Sequence, residues 1–210
     1  IKQDGSVGYY QTVNKTTPVA GDVKYVDRNG DGVVDDNDRD IIGNPNPDFT
    51  YGFQTKVSWK SLSLSASFNG VQGRDILNVG NRYNNTPGTK SNNVTRKAFQ
   101  NMWTDENPSN LYPKSTFVVQ NMVMDRYVED GSYLRCSDIT LSYVLPAKWT
   151  NKIGIKNTSV YASVKNAFVI TDYSGYDPEV NSFAFDGLRP GVDMNSYPTP
   201  RSFVFGLNLT

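Results

Sequence analysis

The residues with the most chemistry to offer run from Asp27 to Asp38. There Asp-Arg-Asn-Gly-Asp-Gly-Val-Val-Asp-Asp-Asn-Asp sets oxygen-bearing groups at alternate positions. The spacing is that of a calcium loop, D-x-N-x-D-G with a carboxylate at the twelfth position. A hard divalent cation needs about six to eight oxygens in a small space. Asp27, Asn29 and Asp31 would supply side-chain oxygens, Val33 its carbonyl, Asp35 a contact through water at the ninth position, and Asp38 the closing carboxylate. Gly32 permits the sharp turn, while Asp38 reaches less far than the usual glutamate and weakens the grip. The expected ion is calcium, with magnesium the other candidate, and its expected role is structural, because carboxylates crowded without a cation repel one another. The flanks are extended around Val23–Val26 and turn at Gly43, so the loop has a β setting. The same residues also suit an Asx-rich turn without metal.

Asp177-Pro178-Glu179 could form an acid/base pair of the glycosidase kind. Paired carboxylates are nevertheless common in proline-fixed turns, and a turn is the preferred reading. The chain has no histidine, which removes Ser-His-Asp and Cys-His catalysis and histidine-ligated zinc. Its one cysteine, Cys136, can form no internal disulfide. No enzyme activity is expected. Candidate ligand contacts are aromatic: Trp103, at the end of a helix-like stretch from Val94, and Tyr173, Tyr176, Phe183 and Phe185, in a polar segment that also holds Tyr197. Such rings stack on ligands, or give a large loop its own small core.

The elements that must position these groups are strands. Phe49, Tyr51, Phe53, Val57 and Trp59 alternate with polar residues, and the phase flips at Lys60-Ser61 so that Leu62, Leu64, Ala66 and Phe68 carry the pattern onward. A hairpin whose strands share one apolar face does this. Further alternation runs over Ile139–Leu145, Val160–Lys165 and Phe203–Leu209, with a weaker candidate at Val7–Val13. The connections are unequal: a two-residue turn, a long polar stretch over about 73–130, a shorter link over Pro146–Asn157, and a long one over about 172–200. Short turns alternating with long loops mark an outer-membrane barrel more than a sandwich. The 37% hydrophobic share includes no run of about 18 apolar residues, so no membrane helix is expected. The balance of 21 basic against 21 acidic residues argues against nucleic-acid binding. No secretory signal opens the chain, and its start at Ile1-Lys2-Gln3-Asp4 reads as an internal or mature segment.

Several phrases then agree with one family. Gly21-Asp22-Val23-Lys24-Tyr25-Val26-Asp27-Arg28-Asn29-Gly30-Asp31-Gly32 resembles the GD-x-K-Y-x-D-x-NGDG segment of SusC/RagA-type TonB-dependent transporters. Asp38-Arg39-Asp40-Ile41-Ile42-Gly43-Asn44-Pro45-Asn46-Pro47 resembles their D-R-x-x-IGNPNP segment, and Val128–Arg135 their VEDGSYLR run. Tyr173–Glu179, Tyr197–Arg201 and the last strand match later segments in order. The resemblance implies an all-β fold: an antiparallel transmembrane β-barrel segment, about five or six C-terminal strands of a barrel of about 22 strands, with long extracellular loops. Residues 1–210 would then be the C-terminal part of the barrel, and 21–48 an extracellular calcium-type loop within it, the plug domain being absent. On this expectation Phe53, Val57, Trp59, Leu62, Leu64, Ala66, Phe68, Leu141, Val160, Phe203, Phe205 and Leu207 face outer-membrane lipid, with Trp59 and Tyr143 near an interface.

The implied function is a share in importing oligosaccharides or oligopeptides across the bacterial outer membrane. The implied partners are the remaining barrel and plug, a SusD-like surface lipoprotein as lid, the TonB–ExbB–ExbD complex and the glycan or peptide ligand, with no nucleic acid. Two departures stand out. Five or six strands cannot enclose a lumen alone, and Leu209-Thr210 stands where such barrels close on an aromatic residue, as a one-residue truncation would leave it. The alternative is a secreted, calcium-stabilised β-sandwich that binds carbohydrate.

Overall fold

The computed structural model describes residues 19–86, 93–115, 123–150, 155, 158–179 and 181–209. The strand expected at Val7–Val13 lies outside the described residues. The chain divides into two compact units, Ile1–Ile42 with Val79–Tyr127, and Gly43–Asn78 with Val128–Thr210.

The second unit holds the strands: β1 (Phe49–Trp59), β2 (Leu62–Gln72), β3 (Asp75–Asn78), β4 (Val128–Asp130), β5 (Tyr133–Val144), β6 (Thr158–Thr171), β7 (Val192–Asp193) and β8 (Ser202–Leu209). Five form an antiparallel sheet in the order β1-β2-β5-β6-β8. The hairpin at its start keeps full register from Phe49 opposite Gln72 to Trp59 opposite Leu62. Its two-residue turn puts Lys60 at φ 55, with Lys60 Nζ 4.7 Å over the Trp59 ring. A smaller sheet, β4-β3-β7, joins an antiparallel pair to a parallel one.

Bulges explain why β5 and β6 run further than simple alternation indicates. The register shifts between Cys136 and Asp138 on β5, and Asn166 on the facing stretch of β6 adopts φ 52. A bulge inserts an unpaired residue and re-aims the side chains beyond it. The period of two therefore breaks there, although the ladder continues from Tyr133 opposite Thr171 to Val144 opposite Ser159.

The faces of the larger sheet differ. Asp138 accepts hydrogen bonds from Thr140 Oγ1 at 2.7 Å and Ser163 Oγ at 2.8 Å, and Lys165 Nζ stands 2.6 Å from it. On the other strands of the sheet, β1, β2 and β8, apolar side chains stay in the open: Phe53 is 52% exposed, Leu64 46% and Phe205 78%. The buried apolar residues gather instead toward the end of the sheet that adjoins β3, where Ile76, Val71, Tyr133, Cys136 and Tyr173 are enclosed.

These observations overturn the expected barrel segment. The sheets are open: β1 and β8 are the two edges of the larger one and do not pair with each other. A barrel abolishes edges by closing, and closure fixes strand tilt and stagger. Among the described residues nothing pairs with the outer edge of β1 or of β8, and the second sheet contains a parallel pair foreign to an all-antiparallel wall. The all-β antiparallel transmembrane β-barrel is therefore replaced by open mixed sheets with short helices, and the expected transmembrane β-strands have no membrane-spanning arrangement to support them. Among the described residues no helix is long and apolar enough to cross a membrane. The stretch expected as a loop over about 73–130 contains β3, α1 (Val79–Asn85), α2 (Arg96–Asn101) and β4, and the link after Pro146 contains α3 (Ala147–Thr150).

Candidate functional site

The Asp27–Asp38 loop lies in the first unit and is held by its own backbone. Asp27 accepts from the Gly30 N–H at 2.7 Å and the Gly32 N–H at 2.8 Å, one on each carboxylate oxygen. Asn29 Oδ1 accepts from the Asp31 N–H, and Asp31 Oδ1 from the Val33 N–H. Gly30 and Gly32 take φ 76 and 84, a conformation that costs other residues energy. Asp35 caps a single 3-10 turn, Asp36–Asp38, in a reciprocal capping box. Asp38 then accepts from the Asp35 and Arg28 N–H groups, both at 2.7 Å, so the twelfth position reaches back to the second. Those two N–H groups hold its carboxyl below the ordinary range. Among the described residues, no group of three or more Asp, Glu, His and Cys side chains converges as a metal cage.

The aromatic candidates separate. Tyr173 is buried, its hydroxyl donating to Asp193 Oδ2 at 2.7 Å. Burial, then that bond to a carboxylate, push its phenol far up. Tyr173 is therefore a structural post. Tyr176 is 76% and Phe185 87% exposed, and Tyr197 is also open. Phe183 meets Phe185 edge-on at 6.2 Å and carries the Arg189 guanidinium 5.4 Å over its ring. Trp103 belongs to the first unit, where its indole leaves no room for a Cβ at Gly21, whose φ is 86. The Trp103 backbone N–H donates to the Tyr112 carbonyl at 3.1 Å.

The pair Asp177 and Glu179 is consumed by structure. Arg135 on β5 reaches Asp177 Oδ1 through Nη2 at 2.5 Å, and its Nε stands 3.1 Å from Glu179 Oε2 in a charge contact rather than an aligned hydrogen bond. Asp177 also accepts from the Glu179 and Thr199 N–H groups. Glu179 accepts from Tyr133 Oη at 2.6 Å and Asn69 Nδ2 at 3.0 Å. Burial opposes the charge on Asp177, yet the two N–H bonds and Arg135 outweigh it and hold the carboxyl below its usual range. A general acid needs the reverse. Arg74 adds a bond to the Pro178 carbonyl, and Ser174 is tied to Glu129 through its N–H and its hydroxyl. The whole constellation fixes the segment from Tyr173 to Thr199 against the end of the sheet. Sequence reasoning passed over Arg135 as part of a strand. The available signal was a permanently charged side chain in the otherwise apolar run Tyr133–Cys136, since such a charge is buried only when paired.

With this geometry in view, comparison with known proteins gives the class. No family model matches the chain. TonB-dependent receptor P26 of Formosa agariphila is 34% identical over 200 residues, 91% of this chain and 20% of that receptor. TonB-dependent receptor SusC of Bacteroides thetaiotaomicron is 34% identical over 192 residues, 88% of this chain and 17% of that protein. Among solved structures, the RagAB peptide importer in its closed-closed state matches with a TM-score of 0.68 at 29% identity, over 80% of this chain and 18% of that one. Its open-open state matches at 0.67 and 26%, over 96% and 20%. The chain thus spans about a fifth of the length of the curated relatives it matches.

The relationship is to the SusC/RagA-type TonB-dependent transporters, an outer-membrane transporter family. The proteins it matches are receptors and an importer rather than enzymes.

Proposed function

We propose that the chain is one part of a TonB-dependent importer that moves oligosaccharides or oligopeptides across the outer membrane. A SusD-like lipoprotein serves as its lid and TonB–ExbB–ExbD as its source of energy. The observation that carries this reading is identity of 34% extending over most of the chain, with SusC and the Formosa receptors alike. The likeness to a peptide importer supports oligopeptides as cargo. The exposed rings of Tyr176, Phe185 and Tyr197 suit contact with a sugar face or a lid surface. Transport of this kind asks for gated binding and release, not covalent chemistry, in keeping with the structural use of Asp177 and Glu179. The alternative, a calcium-stabilised carbohydrate-binding sandwich, would need Phe53, Leu64 and Phe205 between two sheets, and they are exposed.

A calcium or magnesium ion at Asp27, Asn29, Asp31, the Val33 carbonyl, Asp35 and Asp38 would brace the first unit. The spacing supports it, and each carboxylate oxygen bonded to one N–H retains a further lone pair.

The importer reading is tested in the host, with the full-length transporter. Replacing Tyr173–Thr199 by a flexible linker should abolish uptake of labelled oligosaccharide or oligopeptide and weaken co-purification of the partner lipoprotein. Unchanged uptake of both cargo classes would refute it.

A further inference from the structure

The first unit contains a cavity of about 240 Å³ where α1, α2, the strand-like segment at Leu111–Tyr112 and the 3-10 turn Asp125–Tyr127 meet. That volume suits one sugar ring or one amino-acid residue rather than an extended chain. Two cationic side chains, Lys97 and Arg126, line it, and among the described residues no carboxylate does.

The cationic wall is built rather than incidental. Arg126 Nη2 donates to the Leu111 carbonyl at 2.7 Å, which anchors the guanidinium across the cavity from its own turn. The guanidinium also stands 5.5 Å over the ring of Tyr127, which is buried. A guanidinium held by one nitrogen still offers its other N–H groups in a planar fork, the geometry that recognises a carboxylate with two parallel bonds. The opposite wall is polar and fixed: Asn85 Nδ2 donates to Asn81 Oδ1, and Asn85 Oδ1 accepts from Thr95 Oγ1 at 2.7 Å. Thr95 in turn caps α2, which presents Lys97. The first unit as a whole is balanced, with eight acidic and five basic residues in Ile1–Ile42, so the positive character is local to Val79–Tyr127, which carries six basic residues against three acidic ones. Of those three, Asp125 is the near one, and its Oδ1 accepts the N–H of Arg126.

We propose that this cavity binds the carboxylate of a small ligand, with Arg126 as the fork, Lys97 as the second charge and Tyr127 as the floor. Two sources share that chemistry, the C-terminus of a peptide and the acid group of a uronic sugar. The inference stands apart from the importer reading, because binding is measured in solution without a membrane or a lid.

The test is a titration of the isotope-labelled chain with N-acetyl-dialanine, its C-terminal amide, glucuronate and glucose, followed by backbone amide shifts. The two acids should move amides at Thr95–Phe99, Leu111–Tyr112 and Asp125–Tyr127, and the two neutral probes should not. Response to the peptide acid alone identifies a peptide terminus, and response to glucuronate alone a sugar acid. Arg126→Gln should weaken binding at least tenfold, and Lys97→Met, at an exposed helical position, about threefold to fivefold. If Arg126→Gln does not fold, Lys97→Met and the acid-against-amide comparison carry the test. Equal binding of acid and amide, unchanged affinity in the variants, or no shift at millimolar acid would overturn the proposal.

Discussion

Arg135 and Asp177 stand 42 positions apart and meet at 2.5 Å with both side chains almost wholly enclosed. The pair joins the start of β5, the central strand of the larger sheet, to the segment that carries the exposed aromatic rings. Removing one partner of a buried ion pair leaves the other charged and unsatisfied. Asp177→Ala should therefore destabilise the second unit by about 3 kcal/mol, the low end for a broken buried pair because Glu179 still faces Arg135. Urea unfolding followed by tryptophan fluorescence checks this, and a loss below about 0.5 kcal/mol, the size of an ordinary surface change, would refute it.

The same carboxylate makes stability depend on acid. Its pKa in the folded chain lies below its unfolded value of about 3.9. Its contribution is thus complete above that unfolded value and disappears as the pH falls through the lower folded one. Thermal midpoints recorded from pH 6 down to pH 2 should fall, and Asp177→Asn should flatten that fall.

Two tyrosines lie across glycines on neighbouring strands. Tyr51 pairs with Gly70 and Tyr161 with Gly206. A Cβ on Gly206 would stand 2.3 Å from the Tyr161 ring, and one on Gly70 at the same distance from Tyr51. Gly206→Ala should cost about 1–3 kcal/mol by forcing the ring aside. Adding Tyr161→Ala should recover part of that loss in a double-mutant cycle, whereas simple additivity would show that the ring is not the obstacle.

The Asp27–Asp38 loop offers a test by cation. Terbium should luminesce on addition to the chain, sensitised by Tyr25 beside the loop, and calcium should quench it by competition. Asp31→Asn should weaken the signal at least tenfold. Asp38→Ala should also loosen the loop without any cation, because Asp38 is the acceptor for the Arg28 and Asp35 N–H groups. An absent terbium signal in the parent chain would dismiss the metal and leave an Asx turn.

The open sheet predicts how the chain behaves in buffer. Free edges and a contiguous apolar surface promote association. Phe53→Lys combined with Phe205→Lys should reduce light scattering at a given concentration, since both side chains are exposed. Unchanged scattering would place the sticky surface elsewhere.

Local regularities were legible from residue order. The strand at Phe49–Trp59, its flip at Lys60-Ser61 and the strands around Ile139, Val160 and Phe203 follow from a period of two, which needs only neighbours along the chain. The Asx geometry at Asp27–Asp38 was legible for the same reason: its donors and acceptors lie within about a dozen positions. A relationship to the transporter family was legible in ordered phrases and comparison supports it, whereas the barrel segment expected with it is overturned by the open sheets.

Tertiary structure alone decided the rest. Whether β1 and β8 meet is a question of how all the strands twist and close, and alternation reads the same in an open sheet. The bulge at Cys136–Asp138 breaks the periodic signal where the ladder itself continues. The bonds among Arg135, Asp177, Glu179, Tyr133 and Asn69 join residues up to 110 positions apart, so only folding reveals that a suspected acid/base pair is a clasp. The cavity at Lys97 and Arg126 draws its charges from separate segments, and spacing along a chain says nothing about groups that become neighbours only in three dimensions.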